Sequence, residues 1–253
     1  MKKVILGALG LMFCLSSFGQ VSYLQFRVVP NDREGEFVQK ETMYWAKVAE
    51  AAIKKGQMTG WSLWRKVGVT EVGAPNYVFV NNYESFDKIN MSNIWSEENL
   101  KTMGVSGDMV ETNSFAPVAF DYWCQMEDSA GGDYKFAIVN YAKPTSIDGF
   151  IQENKTLWKP LHEKNMQAGS NKMTSWGMLS VVSPQGNQAR FSVLTWDGFN
   201  SMADAMNYAR NTSNGEVNAD WQKVLSETKM GEILPNGFEY SILYELVMRL
   251  PAK

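Results

Sequence analysis

His162 is the chain's single histidine. It follows Trp158 by one helical turn, so on a helix the two side chains share a face. Between them stands Pro160, which removes a backbone donor and is expected to kink that helix. Asn140 closes one β-rich run and Trp196 closes another. An imidazole titrates near neutrality and serves as acid or base. Amide, indole and imidazole N–H groups can hold a substrate oxyanion inside an apolar pocket, and large aromatic side chains wall a cleft for a flat apolar ligand. Asn140, Trp158, His162 and Trp196 are therefore the expected binding site for a small apolar or aromatic molecule, with no catalytic residue assigned. The same residues have a plainer account, as polar groups at a strand end and on a helix surface, and as tryptophans of a core.

Other chemistries are excluded by what the chain lacks. One histidine and two cysteines cannot build an ordinary zinc site of His and Cys ligands, and neither a metal nor a cofactor is expected. No Gly-rich phosphate loop follows a strand, and no Gly-x-Ser-x-Gly elbow is present. A net charge of −3 without a Lys/Arg stripe argues against a nucleic-acid partner. Glu34, Glu36, Glu97 and Glu98 read as solvated charge at helix starts. Cys14 falls in the apolar N-terminal run, which leaves Cys124 without an intrachain disulfide partner. Cys124 lies in Phe120-Asp121-Tyr122-Trp123-Cys124 and is expected to be buried and inert. Asn90, Asn154 and Asn211 begin glycosylation triplets that would matter only in a eukaryote.

The N-terminus has the layout of a secretory signal: Lys2-Lys3, an apolar run from Val4 to Leu15, then Ser16-Ser17-Phe18-Gly19-Gln20. That run of about 12 residues is short of the roughly 20 that span a bilayer. Met12 and Phe13 are not the small residues that precede a lipid-modified cysteine. The expectation is cleavage near Gly19 or Gln20 and an exported bacterial protein, periplasmic or extracellular, with no membrane association afterwards.

The elements that must position the candidate site come in two sets. Phe37-Val38-Gln39, Trp45 and Gly56 recur at one constant offset as Phe150-Ile151-Gln152, Trp158 and Gly169. Met58-Thr59-Gly60-Trp61-Ser62-Leu63 matches Met173-Thr174-Ser175-Trp176-Gly177-Met178, and Tyr83-Glu84-Ser85-Phe86 matches Trp196-Asp197-Gly198-Phe199. Matches in the same order with small loop shifts indicate an internal duplication. In the first copy, strands are expected over residues 23–29, 58–69, 77–83 and 117–126, with a helix over 34–55 that ends at Gly56 and broken helical material from 85 to about 103. In the second, strands are expected over 134–140, 174–182, 190–195 and 238–248, with helices over 146–168, 199–208 and 220–228. Each set reads β-α-β-β-α-β, the ferredoxin-like order. The domain reading is a leader at 1–20, a first unit at 21–128, a linker at 129–133 and a second unit at 134–253.

A strand ending in an aromatic, then an acid, a small residue and Phe entering a helix, resembles the dimeric α+β barrel superfamily. Tyr83-Glu84-Ser85-Phe86 and Trp196-Asp197-Gly198-Phe199 carry the resemblance, which extends to the antibiotic-biosynthesis monooxygenase-like and NIPSNAP-like families. It implies an α+β fold in which two tandem ferredoxin-like units pack their sheets face to face, so that one chain forms the barrel as a monomer. Asn140 and Trp196 are also similar to the strand-end Asn and Trp of haem-degrading monooxygenases. Those enzymes carry an axial histidine at a place that falls near Met206 here, and this departure removes the haem ligand. Superfamily members that oxygenate aromatic substrates without metal or flavin imply another activity. Three readings follow: an exported binding or stress-associated protein without catalysis, favoured here; a cofactor-independent monooxygenase of aromatic or apolar substrates; and a structural barrel without ligand.

Overall fold

The computed structural model describes residues 20–68, 71–211 and 219–250. Apart from Gln20, the expected leader lies outside the described residues, and so does most of the triplet beginning at Asn211. In chain order the first half holds β1 (Val21–Arg27), α1 (Glu34–Lys40), α2 (Ala46–Lys54), β2 (Gly60–Lys66), β3 (Tyr77–Tyr83), three single-turn helices α3 (Met91–Ile94), α4 (Glu97–Leu100) and α5 (Gly107–Val110), and β4 (Val118–Gly131). The second half holds β5 (Phe136–Ala142), α6 (Ile147–Glu153), α7 (Lys159–Ala168), β6 (Met173–Ser183), β7 (Val193–Phe199), α8 (Met202–Asn211), α9 (Ala219–Glu227), α10 (Met230–Ile233) and β8 (Tyr240–Leu250).

The eight described strands close one antiparallel barrel in the order β1-β3-β2-β8-β5-β7-β6-β4. Each half contributes an arc with the same internal order, β4-β1-β3-β2 and β8-β5-β7-β6. The sheets do not simply face one another. The arcs are continuous through hydrogen-bonded seams, β2 with β8 and β4 with β6. Closure removes the exposed edges that would otherwise template aggregation. Residues 129–131 of the expected linker extend β4 and pair with β6 as far as Gly131 opposite Ser175. Gly131 has φ 87°, and an added Cβ would stand 2.2 Å from the Thr174 carbonyl oxygen, so only glycine fits there.

Alternation along the strands sorts side chains to two faces. Leu24, Phe26, Trp64, Tyr122, Leu179 and Tyr244 point into the barrel and form one core. The outer faces carry two further cores, each under its own helices: Phe37, Leu63 and Tyr77 in the first half, and Phe150, Trp176 and Phe199 in the second. Phe37 and Phe150 occupy matching sequence positions and are both almost fully buried.

Both long helices are interrupted in the same way. A π turn at Glu41–Trp45 joins α1 to α2, and one at Asn154–Trp158 joins α6 to α7. The expected kink of the second helix by Pro160 is thus corrected: the irregularity is common to both halves. The first helix has it with no proline, and Pro160 follows the π turn as the second residue of α7. Gly56 and Gly169 end the helices with φ of 72° and 63°, as the sequence requires.

Cys124 is fully buried inside the barrel, and burial pushes its thiol up to about 12. We expect slow thiol labelling in the native state, and a melting temperature indifferent to reductant. Rapid native labelling would place Cys124 at the surface and contradict the packing of β4. Trp196 lies across Gly177 inside the barrel, where an added Cβ would stand 2.1 Å from the indole. Gly177→Ala should therefore destabilise by roughly 1–3 kcal/mol, the usual cost of overpacking, in chemical denaturation. An unchanged midpoint would mean that the indole moves aside freely.

Candidate functional site

Between the outer face of the second arc and its helices lies a cavity of about 410 Å³. Its floor is set by strand register. Asn140 on β5 pairs with Thr195 on β7, Ile138 pairs with Asp197, and Trp176 on β6 pairs with Asp197 from the other side. All of these face the helices. Its roof comes from the π turn, α7, α8 and α9, which supply Asn154, Trp158, His162, Tyr208 and Trp221.

The polar groups are organised around Asp197, which is buried. Asn140 Nδ2 donates to Asp197 Oδ2 at 3.1 Å, while Asn140 Oδ1 accepts from the Ser241 hydroxyl at 2.7 Å. The serine fixes the amide so that its N–H₂ faces the acid. One amide donor does not replace bulk water, so burial lifts the Asp197 carboxyl from 3.8 to about 7, with Asn140 opposing the rise. His162 is also buried, stacked on Trp176 with ring centroids 5.8 Å apart and planes 22° apart. Its Nδ1 has no hydrogen-bond partner among the described residues, and burial lowers the imidazole to about 4. The ring is therefore neutral at pH 7. Burial, and then the charge of Asp197, hold the Tyr208 hydroxyl well above the ordinary phenol range, so it is protonated and can donate.

The aromatic walls are held in place. Trp158 Nε1 donates to Glu153 Oε1 at 3.4 Å, and the Glu153 carboxylate is anchored by the Thr228 hydroxyl and by the Lys229 backbone N–H at 2.9 Å. The Trp158 ring meets Trp221 edge-on at 5.7 Å.

Three of the four residues singled out from the sequence, Asn140, Trp158 and His162, meet in this cavity. His162 does not point to water, as its plainer account supposed. Trp196 is the exception. Thr195 faces the helices, so its neighbour faces the barrel interior, where Trp196 lines a separate cavity of about 270 Å³ with Tyr141 and Leu179. Asp197 and Tyr208 were missed as site residues. The available signal was an acid set in the otherwise apolar run Val193-Leu194-Thr195-Trp196-Asp197-Gly198-Phe199. Register also corrects the comparison of the two halves. Asn81 stands opposite Trp61 as Asp197 stands opposite Trp176. The counterpart of Asp197 is thus Asn81 and not Glu84, which is exposed beyond the end of β3.

Among the described residues, no group of three His, Cys, Asp or Glu side chains could hold a metal ion. The place that would carry the axial histidine of a haem-degrading enzyme is Met206, which is exposed and outside the cavity lining. The residues present do not fit a haem held in that manner.

No family model matches the sequence, and no curated protein matches it. Solved structures do share its shape. A monooxygenase candidate from Fusobacterium nucleatum aligns at TM-score 0.55 and 10% identity over 92% of this chain and 94% of that one. An anthrone oxidase-like protein aligns at 0.54 and 11% identity over 92% and 93%. A mutant chlorite dismutase from Candidatus Nitrospira defluvii, in complex with cyanide, aligns at 0.51 and 9% identity over 92% of each chain. The protein therefore has the ferredoxin-like α+β barrel fold shared by chlorite dismutase-like and antibiotic-biosynthesis monooxygenase-type proteins.

Proposed function

We propose that this protein is an exported, cofactor-independent oxygenase of flat aromatic substrates that carry an acidic CH₂ conjugated through the ring system to a ketone. The observation that carries the reading is the buried Asp197 carboxyl, poised at about 7 in an aromatic cavity. A general base works best when its pKa lies near the working pH. Acid, amide, imidazole and phenol converging on one apolar cavity support catalysis over the binding-only reading taken from the sequence. The structural likeness to a monooxygenase candidate and an anthrone oxidase-like protein agrees with this choice.

In the proposed reaction, the Asp197 carboxylate takes one proton from the CH₂, and the bonding pair moves toward the ketone oxygen. The Tyr208 hydroxyl and the neutral His162 ring stabilise that oxyanion, while Asn140 keeps the carboxylate aimed. The carbanion carbon bonds to O₂, and the resulting peroxide is protonated. Loss of the second C–H proton then breaks the O–O bond, and the departing oxygen leaves as water. One CH₂ and one O₂ become one C=O and one H₂O, so no external reductant is required.

Oxygen-electrode assays with anthrone test the proposal. Consumption should match quinone formation one to one and should stop in Asp197→Asn. Turnover that survives in that variant would sink the assignment. We further propose that the two halves arose by duplication, since strand order, π turns and buried aromatics recur between them. A barrel closed within one chain should leave the protein monomeric at micromolar concentration. Light scattering that found an obligate dimer would count against this.

A further inference from the structure

The first half holds a matching cavity of about 510 Å³ between the outer face of β1 and β3 and the helices above them. Its polar groups are rearranged. The second half places an amide, Asn154, at the start of the π turn and an acid, Asp197, on the strand. The first half places an acid, Glu41, at the start of the π turn and an amide, Asn81, on the strand. It also adds a buried cation. Arg27 is only 5% exposed. Its Nε donates to the Ala116 carbonyl at 2.6 Å, one Nη donates to Gln25 at 3.0 Å, and the other donates to the Thr112 hydroxyl at 3.2 Å. A guanidinium has five N–H donors, so each terminal nitrogen keeps one more. Thr112 passes the interaction on by donating to Glu41 at 2.7 Å. Above this centre Trp45 and Trp95 meet edge-on at 5.9 Å, and Trp61 packs on Phe79 at 5.8 Å. Trp95 is 46% exposed at the mouth of the cavity.

We infer that this first-half cavity is a second ligand site, one that takes a flat aromatic acid, with its carboxylate on Arg27 and its ring among Trp45, Trp61 and Trp95. A planar guanidinium matches a carboxylate in geometry and charge. Arg27 is desolvated, which makes an anionic partner favourable. The charged and titratable groups that face Arg27 are Glu41, Glu111 and Tyr23. Burial raises Glu41 to about 7, and the Tyr23 phenol, also raised by burial, is neutral in the working range. Glu111 is at the rim, and the Ser114 hydrogen bond holds its carboxyl below the ordinary carboxylate range. Glu41 alone changes charge near neutrality. Below pH 7 it is protonated and leaves Arg27 to the ligand; above pH 7 its carboxylate competes for the same cation. The two halves thus divide the chemistry, with proton transfer at Asp197 and anion recognition at Arg27.

Calorimetric titration of the whole protein with 2-naphthoate and with the neutral 2-naphthalenemethanol tests the site. At pH 6 the acid should bind at least roughly tenfold more tightly than the alcohol, the scale of a charge-assisted pair. Its affinity should fall roughly tenfold by pH 8. Trp95→Ala, a change at an exposed position, should weaken the acid about fivefold or more. Glu41→Gln should bind and lose the pH dependence, and Asp197→Asn should leave naphthoate binding unaltered. Equal affinity for acid and alcohol would overturn the inference, as would indifference to Trp95→Ala. Loss of naphthoate binding in Asp197→Asn would place the ligand in the other half and overturn it as well, whatever the fate of the oxygenase proposal.

Discussion

Asp197→Asn should abolish turnover while making the folded protein more stable at pH 8 by roughly 4 kcal/mol. The two effects have one cause. In the native state burial lifts this carboxyl from 3.8 to about 7. Between those values the folded protein holds a proton that the unfolded chain has released. Stability from this group is therefore fully present below about pH 4 and is lost as pH rises through 7. At pH 8 the native site carries an ionised, desolvated carboxylate with a single amide donor. Asparagine has the same shape and can still accept from Asn140 Nδ2, but it carries no charge, so the penalty disappears. It has no carboxylate to take a proton, so the base disappears too. Such an exchange of stability for function is expected where an active site holds a strained charge. Urea denaturation at pH 5 and pH 8, beside oxygen uptake, checks both halves of the prediction. Loss of stability at pH 8 would show that the carboxylate is better solvated than the cavity suggests.

Much of the architecture was legible because periodicity and punctuation agreed with the fold. β3 spans Tyr77–Tyr83 as read, and Gly56 and Gly169 end their helices as left-handed caps. β1 begins two residues earlier than expected, where Val21 pairs with Tyr83 and Gln125, and ends two residues earlier because Asn76 takes up the backbone of Val29 through its side chain. The site was only partly legible, for a reason of pattern. Both faces of β7 are buried, one by the barrel and one by helices, so the run from Val193 to Phe199 is apolar on each side. Alternation therefore could not say which way Trp196 or Asp197 points. Cross-strand pairing decides it, and a single sequence does not print its register. The matched tetrapeptides also misled. They aligned Asp197 with Glu84 by residue type, whereas the partner tryptophans Trp61 and Trp176 show that Asn81 holds that place. The burial of His162 depends on helix α7 lying over Trp176, a tertiary fact that one helical face cannot reveal.

His162→Phe should stabilise the protein at pH 5 by about 2 kcal/mol relative to its effect at pH 8. The imidazole is lowered from 6.5 to about 4 by burial alone. Between those values the unfolded chain takes up a proton that the native state refuses, so this group makes stability fall as pH drops from 6.5 toward 4. Phenylalanine can keep the stack on Trp176 and has nothing to protonate, so the acid-side loss vanishes. The two buried carboxyls, Asp197 and Glu41, act with the opposite sign over nearly the same range, since each is raised to about 7 and each favours folding at low pH. The imidazole offsets only one of the two carboxyls, so wild-type stability should still fall, by roughly 2–3 kcal/mol between pH 4.5 and 6.5. Removing them one class at a time exposes the opposing slopes. His162→Phe should show stability falling about twice as steeply as in the wild type as pH rises from 4.5 to 6.5. The double variant Asp197→Asn, Glu41→Gln should show it rising over the same interval. Each slope approaches ~1.4 kcal/mol per pH unit for each unopposed proton, well within reach of denaturant titrations at five pH values. Parallel curves for wild type and His162→Phe would mean that the ring is protonated in the native state, with water or an anion at Nδ1, and would remove His162 as a neutral donor in the oxyanion site.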